Sequence, residues 1–231
     1  MKKITISLIA ALFSAVSFAQ TQKDVTQFLG IPVDGFKPAM IQELKAKGFT
    51  STSYDKDVLE GEFNGSDVTL SIATTNNKVS RIMVSDANGI GETDIRIRFN
   101  TLCRQFQNNK RYMPASMLQS DYTISDDENI SYELSVRDKR YEAVFYQLPA
   151  TLDSAAVAEE IQSVVLSKYT EEQLSNPTEE IQEDVITTAI SYMLEKYSKR
   201  TVWFMIDERY GKYYIIMFYD NEYNRADGED L

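Results

Sequence analysis

Apolar residues in the first part of the chain recur at the spacing of a helix. Between residues 36 and 48 they fall every three or four positions, Pro38 lies in the first turn and Gly48 follows the last turn. This pattern predicts an amphipathic helix. A shorter apolar run over residues 24–29 is closed by Gly30, and we predict a short helix there as well.

From residue 58 to residue 84 the apolar positions alternate with polar ones. The alternation is interrupted at Asn64-Gly65, a strong hairpin signal, and again by the polar cluster at 74–77. A period of two with turn residues at the interruptions is typical of antiparallel strands. The segment therefore predicts a meander of at least three strands.

The rest of the chain repeats these two patterns. A helix is predicted from Asp94 as its cap, and a second hairpin is predicted over residues 130–148. Two further helices are predicted, one over 152–168 and one that Asn176 would cap. A third hairpin over 202–219 closes the series.

Together these elements predict an α+β fold in which amphipathic helices pack on one face of an antiparallel sheet built from hairpins. We expect one domain over residues 20–220, with two halves that meet near 114–128, and an acidic flexible tail over 221–231. A helix followed by a hairpin or meander occurs three times in this reading, as expected for a pseudo-repeat, at 36–84, 94–148 and 178–219.

Residues 1–19 have the pattern of a secretory signal peptide. Two lysines precede an uncharged, largely apolar stretch over 4–18, and Ser17 and Ala19 are small residues before the expected cut. The apolar stretch is shorter than the roughly 20 residues that span a bilayer, and no later stretch approaches that length. We expect a periplasmic or extracellular protein that starts at Gln20 and has no membrane span.

The charge of the chain disfavours polyanionic partners. It has 24 basic and 35 acidic residues, a formal net charge of −11. Such a field repels phosphate backbones and anionic lipid surfaces. We therefore expect no nucleic-acid partner and interpret the acidic surface mainly as solubilising.

Two absences limit the chemistry. The chain has no histidine and a single cysteine, Cys103, so it has no Ser-His-Asp or Cys-His arrangement, no usual zinc site and no internal disulfide. Cys103 lies in a helical apolar pattern, which favours a small buried side chain over a nucleophile. We assign no catalytic residue, no metal and no cofactor. Carboxylate, tyrosine, lysine and arginine chemistry remains.

Charged clusters have two interpretations each. The side chains of neighbouring carboxylates on a helix point in different directions. We therefore favour a solvated surface over an acid/base site as the interpretation of the acidic pairs. Residues 126–129 and 220–224 offer oxygen ligands for Ca²⁺ but lack the glycine and terminal glutamate of a calcium loop, and the sequence leaves this open. The predicted helix after Asp94 is basic. Its basic face either contacts an anion or is a solvated face that complements the helix dipole. The basic residues are Arg96, Arg98, Arg104, Lys110 and Arg111.

The chain is rich in aromatic residues, with 14 tyrosines, 11 phenylalanines and one tryptophan. In alternating strands such residues usually supply core or cross-strand pairs, and an exposed aromatic face could instead bind sugars or an extended peptide. The aromatic residues to inspect first are Tyr132, Tyr146, Trp203, Tyr213 and Tyr219.

Three segments carry a resemblance to known sequences. Residues 28–35 (FLGIPVDG), 40–49 (MIQELKAKGF) and 59–65 (LEGEFNG) resemble uncharacterised exported proteins of gut-associated bacteria. The order of helix and meander is also similar to small exported α+β binding modules such as β-lactamase-inhibitor-like domains. The resemblance implies export and an α+β fold, and it implies no functional residue.

The sequence therefore favours an exported, non-catalytic binding or interaction protein of the bacterial cell envelope, with a protein or small-molecule ligand. Two alternatives remain. One is an enzyme that uses carboxylates and tyrosines on glycans, which would need two carboxylates facing each other across a cleft. The other is a structural envelope component, which would need a large hydrophobic patch and a fixed partner.

The expected cleavage site can be tested directly. Whole-protein mass spectrometry of material exported by a bacterial host should give an N-terminus at Gln20. Leu8→Arg should abolish export and leave Met1 in place, because a charge in the apolar stretch disfavours entry into the membrane. Leu8→Ile is the control and should be exported normally. An exported wild-type protein that keeps residues 1–19 would contradict the assignment.

Overall fold

The computed structural model describes residues 24–116, 122–149 and 152–226; the expected signal peptide lies outside them. The described strands, in chain order, are β1 Gln27–Phe28, β2 Ile31–Pro32, β3 Thr50–Ser51, β4 Leu59–Phe63, β5 Ser66–Thr75, β6 Lys78–Asp86, β7 Tyr112–Pro114, β8 Glu142–Gln147, β9 Thr201–Arg209 and β10 Lys212–Asp220. The described helices are α1 Lys37–Ala46, α2 Glu92–Asn108, α3 Ile130–Val136, α4 Ser154–Lys168, α5 Glu171–Ser175 and α6 Glu179–Tyr197.

Eight of the strands form one antiparallel sheet in the order β3-β4-β5-β6-β10-β9-β8-β7, and β1 and β2 pair separately. The predicted α+β class is confirmed. The order divides the sheet into two four-stranded meanders, each preceded by a helix, which meet where β6 pairs with β10. The sequence suggested three helix-plus-hairpin units, and in the structure the last two contribute to a single half.

Two-residue turns with positive φ connect the two strands of each hairpin. Asn64-Gly65, Asn76-Asn77 and Tyr210-Gly211 all have this conformation, and the predicted hairpins around them are confirmed. The same turn occurs at Leu29-Gly30, between β1 and β2, with φ of 51° and 81°. The short helix predicted over residues 24–29 was therefore wrong. Leucine is rarely found at positive φ, so this turn was hard to predict from the sequence.

The first strand of the predicted second hairpin is also wrong, because Ile130–Val136 is a helix. Asn129 caps it, with its side-chain oxygen accepting a hydrogen bond of 2.9 Å from the backbone N–H of Tyr132. Strand β8 pairs instead with β7 and β9. The short alternation in this segment reflects one buried helix face rather than one face of a strand.

Two helix starts differ from the predicted caps. Helix α2 begins at Glu92 after Gly91, so Asp94 lies inside its first turn. Helix α6 begins at Glu179, and Thr178 caps it in place of Asn176. Both differences are small shifts along a correctly predicted helix.

The main core lies between the sheet and three helices on its first face. Helix α1 lies over β5 and β6, and α2 lies over β10, β9 and β7. Ile130 of α3 is fully buried in the same core, and so is Cys103 of α2, as predicted. The largest fully buried side chains include Phe28, Phe99, Phe145, Phe204, Leu44, Leu59 and Ile82.

The second face of the sheet is contacted by the helical pair α4 and α6 near its β7–β8 edge. The two helices pack on each other, and Tyr197 and Met193 of α6 reach a small apolar cluster with Met113 and Tyr146 of the sheet. Met113 and Tyr146 are cross-strand partners and point away from the main core. No helix in residues 24–116, 122–149 or 152–226 is long and apolar enough to cross a membrane.

Strand β6 contains a bulge at Ser80. Arg81 pairs with Ala73 and Val79 pairs with Thr74, so Ser80 has no partner position in β5. Its carbonyl oxygen accepts a hydrogen bond of 2.9 Å from the backbone N–H of Asn221.

The segment after β10, which the sequence placed in the flexible tail, is partly anchored. Asn221 is buried, and its side-chain nitrogen donates to the carbonyl oxygen of Val33 at 2.7 Å. Glu222–Asn224 form one turn of 3₁₀ helix.

The basic residues at the start of α2 hold the fold together. Asp86, buried at the end of β6, accepts hydrogen bonds of 2.9 Å from Arg98 Nε and from the backbone N–H of Ile215. Arg96 donates at 2.7 Å to the carbonyl oxygens of Asp126 and Glu128. These two arginines are thus structural side chains rather than a solvated or anion-contacting face.

Removing the Asp86 carboxylate should strongly destabilise the fold, because it leaves a half-buried guanidinium and a backbone N–H without their acceptor. We expect Asp86→Ala to lower the free energy of unfolding by about 3 kcal/mol, measured by urea denaturation. Asp67→Ala, at an exposed position of β5, is the matched control and should change it by less than about 0.5 kcal/mol. Equal effects of the two substitutions would contradict the structural role.

Candidate functional site

A cleft opens on the first face of the sheet between α1 and α2. The two helices lie over different halves of the sheet, so a gap remains between their C-terminal ends. Met217 and Tyr219 of β10 form its floor. The cleft has a volume of about 650 Å³, which lies within the usual range of about 300–1,000 Å³ for small-molecule sites.

The walls of the cleft are aromatic and come from separate elements. The lining apolar side chains are Leu29, Phe49, Phe63, Phe106, Tyr112, Met217 and Tyr219. Phe28 lies beneath them, with its ring centroid 4.8 Å from that of Tyr219 and 5.1 Å from that of Phe63. Most of these rings are fixed by such contacts, so the cleft is formed before any ligand arrives.

A close approach of the backbone keeps one wall in place. A Cβ atom at Gly61 would lie 2.6 Å from Cδ1 of Phe49, a distance that real side chains essentially never show. Glycine therefore lets the Phe49 ring approach the backbone of β4 closely. A larger residue at 61 would push that ring out of its position in the wall.

The rim of the cleft is polar. Its side chains are Lys47, Glu62, Asn64, Gln105 and Asn109. Asn64 Nδ2 donates a hydrogen bond of 3.0 Å to Gln105 Oε1, which links the β4–β5 turn to α2 across the opening. The rim thus offers amide donors and acceptors with one cation and one carboxylate.

A chain of hydrogen bonds runs under the floor. The Tyr219 hydroxyl shares a hydrogen bond with the Tyr112 hydroxyl, which accepts a bond of 3.2 Å from Gln147 Nε2. Gln147 Oε1 in turn accepts from Arg200, which is buried and paired with Asp24. Burial raises the pKa of Tyr219 well above its usual value, and the contact with Tyr112 raises it further. Tyr219 is therefore a neutral hydroxyl group rather than a phenolate.

The aromatic residues selected from the sequence do not form one surface. Tyr213 and Tyr219 are buried in the main core, and Tyr132 is exposed on α3. Trp203 and Tyr146 lie half-buried on the second face of the sheet. Of the five, Tyr219 alone lines the cleft.

Sequence reasoning missed the set of residues that forms the cleft. Phe49, Phe63 and Tyr112 come from three loops or strand ends that are far apart in sequence. No local pattern distinguishes them from core residues. The single usable signal was Asn64-Gly65, which places Phe63 at the end of a strand beside a tight turn.

The acidic clusters of the sequence are 126–128, 159–160, 171–172, 179–180 and 183–184, and three of them place one carboxylate in an ion pair on the surface. Glu160 contacts Lys196 and Tyr192, and Asp184 contacts Lys168. Glu128 accepts a hydrogen bond of 2.6 Å from the Tyr141 hydroxyl. These side chains do not face a common cavity.

The two segments considered for calcium use their polar groups within the chain. Asp220 is bound by Arg81, and Asn224 Nδ2 donates to the carbonyl oxygen of Val79 at 2.8 Å. Asp127 accepts a hydrogen bond from the Ser125 hydroxyl. Within the described ranges, no three Asp, Glu, Cys or His residues are grouped in a way that could hold a metal ion.

The lining of the cleft combines apolar, amide and hydroxyl groups with few charges. Among its described lining residues Glu62 is the one acid, whereas glycoside hydrolysis uses two carboxylates about 5–10 Å apart. Its surfaces are apolar walls, amide groups at the rim and neutral hydroxyls at the floor. This combination fits an apolar body and orients a polar end.

Comparison of the chain with models of protein families, with curated proteins and with solved structures found no match. The interpretation of the cleft therefore depends on its own geometry.

The hydroxyl of Tyr219 should contribute to stability through its partner Tyr112. We expect Tyr219→Phe to lower the free energy of unfolding by about 1 kcal/mol, because Tyr112 loses a buried hydrogen-bond partner. Tyr213→Phe is the control: this side chain is equally buried, at 5% exposure, and has no hydroxyl partner among the described residues. Its substitution should change the stability by less than about 0.5 kcal/mol. Urea denaturation of both variants measures the difference, and equal losses would contradict the hydrogen-bond chain.

Proposed function

We propose that this protein is an exported, non-catalytic binding protein of the bacterial cell envelope, and that the cleft between α1 and α2 binds a small amphipathic molecule. The observation that carries the proposal is the preformed aromatic cleft of about 650 Å³ above Met217 and Tyr219. A rigid cleft costs little free energy to organise when the ligand binds.

The lining defines the chemistry of the ligand. Flat or aliphatic carbon surface would contact Phe49, Phe63 and Phe106 and leave water. Hydrogen-bonding groups at one end would face the amides of the rim, such as Gln105 and Asn109. Lys47 and Glu62 stand at the same rim, so the polar end is neutral or zwitterionic rather than strongly charged.

The proposal of export rests on residues 1–19. Their charged start, apolar stretch and small residues before Gln20 are those of a secretory signal peptide. The acidic composition and the lack of histidine agree with a binding role, since they remove polyanionic partners and the commonest general base from consideration.

The rival proposal, an enzyme that acts on glycans, has less support. The cleft has one lining carboxylate, and the acidic pairs of the helices face solvent or lysine partners. A structural role would need a large apolar surface with a fixed partner, and the cleft supplies a concave site instead.

Blocking the cleft should abolish binding without unfolding the protein. A thermal-shift screen of neutral and zwitterionic amphipathic small molecules, including monoacylglycerols, sterols and aromatic amino acids, should give stabilising ligands for the wild type. A ligand at 100 times its Kd adds about 2.7 kcal/mol of stability. Lys47→Trp places a large side chain on the rim and should remove most of this shift.

The matched control is Lys45→Trp, which makes the same change two residues earlier at an exposed position of α1 outside the cleft. It should keep the full shift. If no amphipathic compound stabilises the wild type, or if both variants retain the shift, the cleft is not the binding site.

A further inference from the structure

The second face of the sheet carries a separate pocket of about 660 Å³. It lies near the start of β9 and the end of β10, on the side of the sheet opposite the cleft. This sheet-face pocket is lined by Arg81, Glu142, Val144, Ser198, Lys199, Thr201, Trp203, Asp220, Glu222 and Arg225. Most of these side chains are charged or polar, in contrast to the aromatic walls of the cleft.

The Trp203 side chain lines this pocket. Phe218 stacks on one face of the indole, with the two ring centroids 4.0 Å apart, and Arg81 Cζ lies 5.7 Å from the centroid of the indole ring. Phe218 and Val144 flank Trp203 on the two neighbouring strands, and Val144 lines the pocket whereas Phe218 does not. The short Val144 side chain leaves space beside the indole, and the pocket extends from there to Arg81 and Asp220 on the other side of Trp203.

Asp220 fixes the ring and the neighbouring cation in position. Its carboxylate accepts hydrogen bonds of 2.9 Å from Trp203 Nε1 and of 2.8 Å from Arg81 Nη2. Arg81 uses Nε as well for this carboxylate, and its Cζ lies 4.9 Å from the centroid of the Phe218 ring. The Nη1 edge of this held guanidinium remains for a ligand oxygen.

The lining holds three cations and three carboxylates, and each carboxylate has a partner other than Lys199. Glu222 pairs with Arg225 at 3.2 Å, and Glu142 pairs with Arg140 at 3.6 Å. Lys199 lies with Nζ 5.0 Å from the Tyr223 ring, and it has no carboxylate partner in the part of the chain that the structure describes. An anionic group on a ligand would find its partner there.

We propose that the sheet-face pocket binds a saccharide that carries a carboxylate group. The indole and Val144 offer one apolar surface, which fits the flat C–H face of a pyranose ring. The polar walls would satisfy ring hydroxyls, with the Arg81 guanidinium as a donor and the Thr201 hydroxyl oxygen as an acceptor, because its hydrogen is donated to the carbonyl oxygen of Ser198 at 2.8 Å. Lys199 would pair with the carboxylate. An aromatic ligand would instead leave most of these polar groups without partners.

The single tryptophan makes the pocket directly observable, because Trp203 supplies all indole fluorescence of the protein. The methyl glycosides of galacturonate, of mannuronate and of glucuronate, each with a single carboxylate, are titrated in separate experiments, each beside the neutral methyl glycoside of the corresponding hexose. At least one uronate should change the Trp203 emission in a saturable manner, at least about tenfold more tightly than its neutral counterpart. Its affinity should fall with added salt.

Two substitutions locate the binding. Lys199→Gln should weaken the uronate about tenfold and leave the neutral saccharide unchanged, while Lys110→Gln, at an exposed lysine outside the pocket, should change neither. Val144→Phe fills the space beside the indole and should abolish both responses, with the fold checked by circular dichroism. A wild type that responds to no uronate, equal affinity for neutral sugars, or an unchanged Lys199→Gln variant would each overturn the proposal.

Discussion

The antiparallel pairing of β6 with β10 is the interaction on which the rest of the structure depends. In the sheet, the two meanders meet at this pair alone, through five aligned residue positions from Ile216 and Ser85 to Asp220 and Arg81. A buried aspartate closes each end: Asp86 binds α2 and the backbone of β10, and Asp220 binds Arg81. Both candidate sites are built on this centre, since β10 supplies the floor of the cleft and one wall of the sheet-face pocket.

The cleft is a consequence of how each half packs its own helix. Helix α1 covers β5 and β6, and α2 covers strands of the other half. Two helices that belong to different halves need not touch each other, and the sheet between their ends stays uncovered. The aromatic rings around Phe28 then close the base of the gap, so burial and concavity arise from the same packing.

The sequence predicted the elements with strong local signals and missed those that depend on long-range contacts. Asn64-Gly65 fixed a hairpin correctly because its two residues tolerate positive φ. The turn at Leu29-Gly30 and the helix Ile130–Val136 were misread, because neither segment is long enough for its period to be distinctive. The cleft was not predictable at all, since it combines side chains from both halves whose proximity is set by the β6–β10 pairing.

The bulge at Ser80 changes which face of the sheet a residue reaches. Strands β6 and β10 are both nine residues long, and both read Lys, Ile, Met and Asp at their first, fifth, sixth and ninth positions. Because Ser80 has no paired position, the nine residues of β6 occupy only eight positions of the regular alternation between the two faces. Identical residues after the bulge therefore point to opposite faces of the sheet. Asp86 binds Arg98 of helix α2 on the first face, and Asp220 binds Trp203 in the sheet-face pocket on the second face. Residues at the same position of the two strands therefore do not have the same role. The bulge in β6 reverses the face of every residue that follows it, and this places Asp86 on the first face of the sheet and Asp220 on the second.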